Sequence, residues 1–360
     1  MRRSRLLTVA VPILALATLA SCSRPSGRDG GAAPTTAPPG ATNEITAPGS
    51  APGSTRGSTA ASTAQVVVRP ATTATATMQD GTIRTPDGRD RTYHLYVPSS
   101  LPKDQPAPLL LALHGGIGWG LQYAKNSGFD ALAEANGFIV VFPDGVGPAV
   151  KEDALRTWNG GACCGAAVKE DVDDVTFLSM LIDEVEAQRP IDKARVFAAG
   201  HSNGGIMAYR LACELADKVV AIGLQSSALE LDDCHPSRPV SLLHIHGTAD
   251  DNVPIDGGRG PNGISGVAFN PPIDGVRTIA AADGCPAEPT TTTDPTNADV
   301  TTLAWPGCAN GSAVEMVKVA GATHAWMGSP APPTRLLGEV YLDYHSTEQI
   351  WSFLINHPRA

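Results

Sequence analysis

Short apolar runs alternate along this chain with segments whose apolar residues recur at helical spacing, and this alternation restricts the fold more than any other feature. Strands are predicted over residues 91–97, 108–113, 138–142, 195–199, 219–224, 240–245 and 315–319. Helices are predicted over residues 129–136, 174–188, 206–215 and 347–355. Most of the strand candidates are apolar throughout, which is typical of parallel strands covered on both faces. The pattern therefore predicts an α/β fold with a mostly parallel central sheet and helices on both sides.

Two stretches interrupt the alternation. Residues 256–272 and 289–302 are rich in Gly, Pro, Asn or Thr. We predict long loops there, which in a compact domain are either functional rims or insertions.

The charge balance narrows the classes of function. The formal net charge is −10, although residues 1–77 hold seven Arg against only Asp29 and Glu44. The remainder is therefore more acidic than the whole chain and offers no electrostatic footprint for phosphate backbones. We expect no nucleic-acid partner. Residues 78–360 are long enough to bury about 75% of their unfolded surface around one core, so we predict a single domain there.

The N-terminus has the pattern of an export signal. Residues 1–5 include three Arg, and residues 6–20 form a run of apolar and small side chains. The run ends at Leu19-Ala20-Ser21-Cys22, which resembles a bacterial lipobox, so residues 1–22 are predicted to be a lipoprotein signal peptide with Cys22 lipidated. An ordinary signal peptide with an incidental cysteine is the alternative. Residues 23–77, dominated by Ala, Thr, Pro, Gly and Ser, are predicted to be a disordered tether.

The sequence Gly200-His201-Ser202-Asn203-Gly204 fits the pattern G-x-S-x-G between a predicted strand and a predicted helix. Glycines in this position permit a tight turn that lifts the serine hydroxyl above the sheet. The backbone N–H of Asn203 and the helix dipole can then face developing negative charge. We predict Ser202 to be a nucleophile.

A serine hydroxyl needs a base, and His324 is the best candidate because it follows Ser202 in the chain and lies directly after a predicted strand. His345 and His357 flank the last helix and are expected at the surface. His244 and His246 are expected to be hydrogen-bonded structural residues.

The turn after the 240–245 strand offers two carboxylates to orient the base, Asp250 and Asp251. Either gives the order Ser, Asp, His, which is that of α/β-hydrolases. The turn is similar to the H-G-T-x-D-x-x-V-P turn of hydrolases, in which the first aspartate is used. This resemblance favours Asp250, with Asp251 bracing the turn.

The second oxyanion donor is expected in the loop after the 108–113 strand. His114-Gly115-Gly116 resembles the H-G-X loop of the same enzymes. The resemblance implies that the N–H of Gly116 points into the oxyanion hole, with Ile117 as the alternative. His114 itself is predicted to support the loop.

Six cysteines follow Cys22, and an even number in an exported chain predicts three disulfides. They are Cys163, Cys164, Cys213, Cys234, Cys285 and Cys308. Because a bridge between adjacent cysteines is strained, the first two are expected to pair with Cys213 and Cys234, leaving Cys285 to pair with Cys308. No C-x-x-C or regular His/Cys spacing suggests a metal site.

Three further motifs make the chain similar to one group of hydrolases. Residues 158–165 read W-N-G-G-A-C-C-G, residues 173–178 contain D-D-V-x-F-L, and His324 lies in G-x-x-H-x-W. These features resemble the polyhydroxybutyrate depolymerase and feruloyl esterase family, related to carbohydrate esterase family one and including actinobacterial lipoprotein esterases. The resemblance covers most of residues 80–357. It implies an α/β-hydrolase fold and serine ester hydrolysis outside the cytoplasm, without a cofactor.

Two tryptophans and a group of acids carry secondary predictions. Trp158 and Trp326 are expected in loops beside Ser202, where they serve either as packing or as an aromatic wall against the substrate. We predict substrate contact for both. The acids at positions 171, 173 and 174 suit a solvated helix start better than a cation site.

The predicted function is that of a surface-anchored serine esterase acting on hydroxybutyrate-type oligomers or on feruloyl or acetyl esters. Its predicted partners are the ester substrate and, through the lipid anchor, the outer face of the cytoplasmic membrane. The alternatives are a peptidase of the prolyl oligopeptidase type and a non-catalytic binding lipoprotein of the cell envelope.

Overall fold

The computed structural model describes residues 77–148, 155–330 and 334–359. Ten strands within these residues form one sheet. They are β1 (Gln79–Arg84), β2 (Asp90–Tyr96), β3 (Ala107–Leu113), β4 (Ile139–Pro143), β5 (Ile191–His201), β6 (Ala221–Gln225), β7 (Ser241–Gly247), β8 (Thr290–Thr293), β9 (Val300–Trp305) and β10 (Val314–Val319).

The sheet has a parallel centre and antiparallel edges. Its strand order is β1-β2-β4-β3-β5-β6-β7-β10-β9-β8. The strands from β4 to β10 in this order run parallel, whereas β1, β2, β9 and β8 pair antiparallel. This topology confirms the predicted α/β-hydrolase fold with a mostly parallel central sheet.

Helices cover both faces of the sheet. They are α1 (Gly120–Ser127), α2 (Phe129–Asn136), α3 (Gly165–Lys169), α4 (Asp174–Gln188), α5 (Asn203–Glu214), α6 (Pro272–Ala282) and α7 (Ser346–Asn356). Buried residues of α4, α5 and α6 form one core cluster, and those of α1, α2 and α7 form another. The predicted coverage of both faces is confirmed.

Strand β3 shows how one short sequence serves both cores. All seven of its residues are buried. Leu109, Leu111 and Leu113 belong to the α4–α6 side, whereas Leu110 and Ala112 belong to the α1–α7 side. Successive side chains of a strand point to opposite faces, so a strand covered on both faces must be apolar at every position.

The structure corrects several local predictions. Residues 289–302 are not one long loop, because β8 and β9 form a hairpin at the edge of the sheet. The elements β1, α1, α3 and α6 were not predicted from the sequence. Residues 256–271, in contrast, contain no named helix or strand, as expected.

The predicted signal peptide over residues 1–22, its lipidated Cys22 and all but the last residue of the 23–77 tether lie outside the described residues. Among the helices of the described part, none combines the length and the apolar character needed to cross a membrane.

The carboxyl ends of the parallel strands meet at one edge of the sheet, where ligands bind in open α/β folds. Strand β3 leads into the loop with His114, β5 leads to Ser202, β7 leads to Asp250 and β10 leads to His324. Four segments that are distant in sequence therefore converge at this edge.

Candidate active site

Ser202 occupies a strained turn between β5 and α5. Its backbone has a φ of 53° and a ψ of −123°, a conformation that is costly for a residue with a side chain. A Cβ atom added to Gly200 would overlap the carbonyl group of Gly204, and one added to Gly204 would overlap that of Leu113. Only glycine fits at both positions, so the pattern G-x-S-x-G follows from the close approach of the backbone here.

His324 and Asp250 form a buried pair beside this turn. The Nδ1 atom of His324 lies 2.9 Å from Oδ1 and 2.8 Å from Oδ2 of Asp250. Asp250 also accepts the N–H groups of Asn252 and Val253, each at 2.9 Å. Burial alone would raise the pKa of Asp250, but the charge and hydrogen bond of His324 outweigh it and hold that pKa well below its usual value.

Asp251, the competing carboxylate, points elsewhere. It is exposed, and among the described residues its side chain accepts only a long bond of 3.4 Å from Asn262. The structure therefore places Asp250, and not Asp251, against the imidazole.

His201, the second residue of the G-x-S-x-G turn, holds the backbone of His324 through a hydrogen bond. Its Nε2 atom lies 2.8 Å from the carbonyl oxygen of His324. Burial lowers the pKa of His201 to about 3, so the ring is neutral and Nε2 carries the proton that it donates to this carbonyl. Sequence reasoning gave His201 no role.

The backbones of Gly116 and Asn203 approach each other closely, and both residues line the cavity beside Ser202. A Cβ atom added to Gly116 would lie 3.6 Å from the Cβ of Asn203. Asn203 begins helix α5, where the first N–H groups have no partner within the helix. Ile117, the alternative donor, instead gives its N–H to the carbonyl of Arg156 at 2.8 Å. Gly116 therefore has the better placed N–H.

His114 holds the Gly115–Gly116 loop. Burial lowers its pKa to about 4, so the ring is neutral. Its Nε2 accepts the N–H of Gly145 at 2.9 Å, and Nδ1 therefore donates to the carbonyl of Gly115 at 2.8 Å. The predicted supporting role is confirmed.

Trp158 and Trp326 do not line the cavity beside Ser202, which corrects their predicted contact with substrate. Both indoles are buried. The N–H of the Trp158 ring donates to the carbonyl of His114 at 2.9 Å, and that of Trp326 donates to Thr347 at 2.9 Å. Both rings are packing residues because their polar atoms and faces are used inside the protein.

The backbone of Trp158 is tied to the oxyanion region. Its N–H donates to Oδ1 of Asn203 at 2.7 Å, and its carbonyl accepts from Nδ2 of the same side chain at 3.0 Å. Two bonds to one amide fix the side chain of Asn203, a residue that lines the cavity. This role of the Asn203 side chain was not predicted.

A cavity of about 490 Å³ opens in front of these groups, a volume within the usual range for small-molecule sites. Ser202, His324, Gly116 and Asn203 line it. Its apolar wall includes Ile206, Val253, Ile264, Phe269, Leu336 and Leu337. Sequence reasoning named none of these wall residues, although two of them lie in the 256–272 loop that was predicted as a rim.

The disulfides differ from the predicted pairing. Cys285 pairs with Cys308 as expected, but Cys163 pairs with Cys164 and Cys213 with Cys234. Cys163 and Cys164 pack against Ile206 in the second turn of α5. Cys213 lies seven residues further along this helix, about 10 Å away at the usual rise. The adjacent cysteines therefore cannot reach it, and they bridge each other.

The two aspartates of the D-D-V motif differ in their burial and in their partners. Asp173 caps α4 by accepting the N–H of Thr176 at 2.9 Å, as a solvated helix start would. Asp174 is fully buried and lies 2.6 Å from the guanidinium of Arg91. It also accepts the N–H of Asn159 at 2.8 Å. The prediction of a solvated acid is wrong for Asp174, which joins the W-N-G-G segment to β2 and α4.

A hydrogen-bonded chain lies behind Asp250. Tyr209 contacts Nδ1 of His244 at 2.8 Å, His244 contacts Nδ1 of His246 at 2.9 Å, and His246 contacts the carbonyl of Val253 at 2.8 Å. A carbonyl only accepts, so every bond of the chain donates in the direction from Tyr209 to Val253. Burial lowers the pKa of both histidines, which keeps them neutral and confirms their predicted structural role.

Within the described ranges, no group of three or more His, Cys, Asp or Glu side chains is arranged to hold a metal ion.

Comparison with known proteins shows the family to which the chain is similar. Residues 91–283 match the model of the family described as Esterase PHB depolymerase. Feruloyl esterase B of Piromyces equi is 31% identical over 240 residues, covering 63% of this chain and 41% of that protein. NocK of Nocardia uniformis subsp. tsuyamanensis, a protein named as an esterase, is 30% identical over 281 residues, covering 73% of this chain and 78% of that protein.

A bifunctional acetylxylan esterase/xylanase of Neocallimastix patriciarum is 27% identical over 242 residues, covering 66% of this chain and 31% of that protein. The chain thus spans less than half the length of this relative and of the Piromyces enzyme. Among solved structures, an acetyl xylan esterase from Aspergillus awamori has a TM-score of 0.48 and 14% identity, covering 68% of this chain and 94% of that one.

Proposed function

This chain belongs to the Esterase PHB depolymerase family, and from that membership we propose that it is a serine esterase that works through an acyl-enzyme. The observation that carries the proposal is the buried contact between Nδ1 of His324 and both oxygens of Asp250. The contact leaves Nε2 as the nitrogen that can take a proton. Ser202, on its strained turn, lines the same cavity.

In the proposed reaction Ser202 Oγ attacks the ester carbonyl and gives its proton to Nε2 of His324. The carboxylate of Asp250 stabilises the imidazolium that forms. The N–H groups of Gly116 and Asn203 donate to the developing oxyanion, and each such donor is worth about 10²–10³ in kcat. His324 then protonates the leaving alcohol, and water enters to release the acyl group by the same steps.

Substitution of the nucleophile tests the mechanism. Ser202→Ala should lower kcat on 4-nitrophenyl butyrate about 10⁶-fold and abolish labelling by a fluorophosphonate probe. Ser265→Ala is the matched control, because this serine lines the same cavity and should keep both labelling and turnover. Labelling that survives in Ser202→Ala and disappears in Ser265→Ala would assign the nucleophile elsewhere.

We propose hydroxybutyrate-type oligomers and feruloyl or acetyl esters as the substrate classes, in keeping with the names of the family and of its relatives. A panel of 4-nitrophenyl esters of graded length, methyl ferulate and hydroxybutyrate oligomers would rank them. A peptide 4-nitroanilide belongs in the same panel, since turnover of the amide above all esters would favour a peptidase. If no substrate is hydrolysed and the fluorophosphonate probe does not label the protein, the alternative of a non-catalytic binding lipoprotein would be favoured.

We also propose export and lipid anchoring on the outer face of the cytoplasmic membrane. The three disulfides are typical of an oxidising compartment, and the N-terminal pattern ends at Cys22. Cys22→Ala should move the protein from the membrane fraction to the soluble fraction. A variant that stays with the membrane would contradict the anchor.

A further inference from the structure

The wall of the cavity carries a single ionic side chain of the Lys, Arg, Asp or Glu type among the described residues, that of Lys169. The rest of the wall is apolar, polar and uncharged, or histidine. His114 and His201 are neutral because burial lowers their pKa values. The chain has a net charge of −10, so a positively charged side chain at the site is unexpected. The proposed mechanism gives Lys169 no role.

Lys169 has no carboxylate within ion-pair distance in the part of the chain that the structure describes. The two acids that follow it are engaged elsewhere. Glu170 pairs with Arg89 at 2.9 Å, and Asp171 faces the side-chain amide of Asn159 at 3.5 Å. Lys169 is an exposed residue that lines the cavity, so its ammonium group is available to a ligand there.

The position of Lys169 is fixed by the segment that precedes it. Helix α3 starts directly after Cys164, and Ala167 donates its N–H to Oγ1 of Thr157 at 3.2 Å. Thr157, Cys164 and Lys169 all line the cavity. Lys169 therefore lies on helix α3, whose position in the cavity wall is fixed by these contacts.

An apolar cluster lines the same cavity as the nucleophile and this cation. Cys164 packs in one cluster with Ile206, Val253 and Phe269, all of which line the cavity. Ile206 lies in the first turns of α5 and donates its N–H to the carbonyl of Ser202 at 3.0 Å. A substrate bound at Ser202 can therefore lay an apolar stretch of several bonds across this cluster toward Lys169.

We propose that this site selects esters that carry a carboxylate several bonds away from the reacting carbonyl, with the ammonium of Lys169 as its counter-ion. The inference rests on the proposed esterase function. A half-ester of a dicarboxylic acid and the free acid end of a hydroxyacid oligoester share this chemistry. Both position a short apolar stretch between the ester and the anion.

The test compares an anionic ester with its neutral isostere. The substrates are 4-nitrophenyl hydrogen glutarate and the same compound with its free acid methylated. The measured quantity is the kcat/KM for the anionic ester divided by the kcat/KM for the neutral ester. In Lys169→Gln this ratio should fall about two- to five-fold, which is the size of effect expected from losing an exposed ion pair. In Lys169→Glu it should fall further. For wild type the ratio should shrink at high salt, because screening weakens exposed charge pairs.

Lys125→Gln is the matched control. Lys125 is exposed on α1, whose residues Gln122, Tyr123 and Asn126 line the cavity while Lys125 does not. Its loss changes the net charge equally, so an unchanged ratio in Lys125→Gln assigns the effect to Lys169. A second pair, the 3-hydroxybutyrate dimer and its methyl ester, tells whether oligoester ends or half-esters are preferred.

The outcomes separate this inference from the proposed function. Wild type that hydrolyses the neutral ester, with a ratio that Lys169→Gln leaves unchanged, overturns the inference and leaves the esterase intact. Absence of turnover for every ester overturns both. Binding gives a second readout: Ser202→Ala should bind monomethyl glutarate more tightly than dimethyl glutarate in calorimetry, and the added Lys169→Gln change should remove the difference.

Discussion

The aspartates at positions 173 and 174 are adjacent, yet they should differ greatly in what they contribute to stability. Asp174 and Arg91 are 0% and 3% exposed, and their charged groups lie 2.6 Å apart. The Nε and Nη1 atoms of Arg91 have no partner, and Asp174 is the only carboxylate in ion-pair distance of this guanidinium among the described residues. Asp174→Ala therefore leaves a buried guanidinium without a counter-ion.

The expected loss can be built from two parts. Removal of one member of a buried ion pair costs about 3–5 kcal/mol. The N–H of Asn159, which donates to Asp174 at 2.8 Å, also loses its acceptor, which costs about 1 kcal/mol or more. Asp173→Ala, in contrast, removes an exposed helix cap and should cost about 1 kcal/mol. The two variants should thus differ by about 4 kcal/mol in free energy of unfolding.

Equilibrium urea denaturation with the disulfides intact measures this difference. With a slope of about 3 kcal/mol per molar, the midpoint of Asp174→Ala should lie about 1 M below that of Asp173→Ala. The double variant Arg91→Met/Asp174→Leu should recover most of the loss, because removing both charges leaves nothing uncompensated. Equal midpoints for the two single variants, or a double variant no better than Asp174→Ala, would refute this account.

Two further predictions concern other carboxylates. Asp250→Asn should lower kcat about 10⁴-fold, because the amide no longer fixes the tautomer of His324. A loss below tenfold in ester assays would contradict this prediction. Asp283 is buried, its Oδ2 atom has no hydrogen-bond partner among the described residues, and burial raises its pKa to about 6. The folded protein favours the protonated carboxyl, so the contribution of Asp283 to stability is complete at low pH and is lost as the pH rises through about 6. Asp283→Asn should therefore raise the free energy of unfolding by about 3 kcal/mol at pH 8 and not at pH 3.5. Urea midpoints that shift equally at both pH values would exclude this explanation.

Elements with a strong apolar pattern were predictable, and weakly patterned ones were not. Strand β3 (Ala107–Leu113) is apolar at every position and was found within one residue. Strand β8 is four exposed threonines, so no burial pattern distinguishes it from a loop, and only its pairing with β9 makes it a strand. Helix α6 follows Pro271 and begins with Pro272, so its start resembles the end of the preceding loop.

The site shows the same limit. Sequence order and turn chemistry were enough to propose Ser202 and His324, because each follows its own strand. The burial of Trp158 was beyond sequence reasoning, since it depends on bonds to His114 and Asn203 from other segments. The bridge between Cys163 and Cys164 was missed because the distance to Cys213 is set by the length of α5.

The residues that make this chain recognisable act mainly through the backbone. Asp174 holds Asn159, the preceding residue Trp158 makes two bonds to the side chain of Asn203, and Asn203 lines the cavity. The conspicuous motif is thus a frame that sets the position of one oxyanion donor, which explains why its aromatic residue does not touch the cavity. Lys169 lies outside this frame, so its charge can change without moving the donor, and substrate choice can vary independently of the reaction.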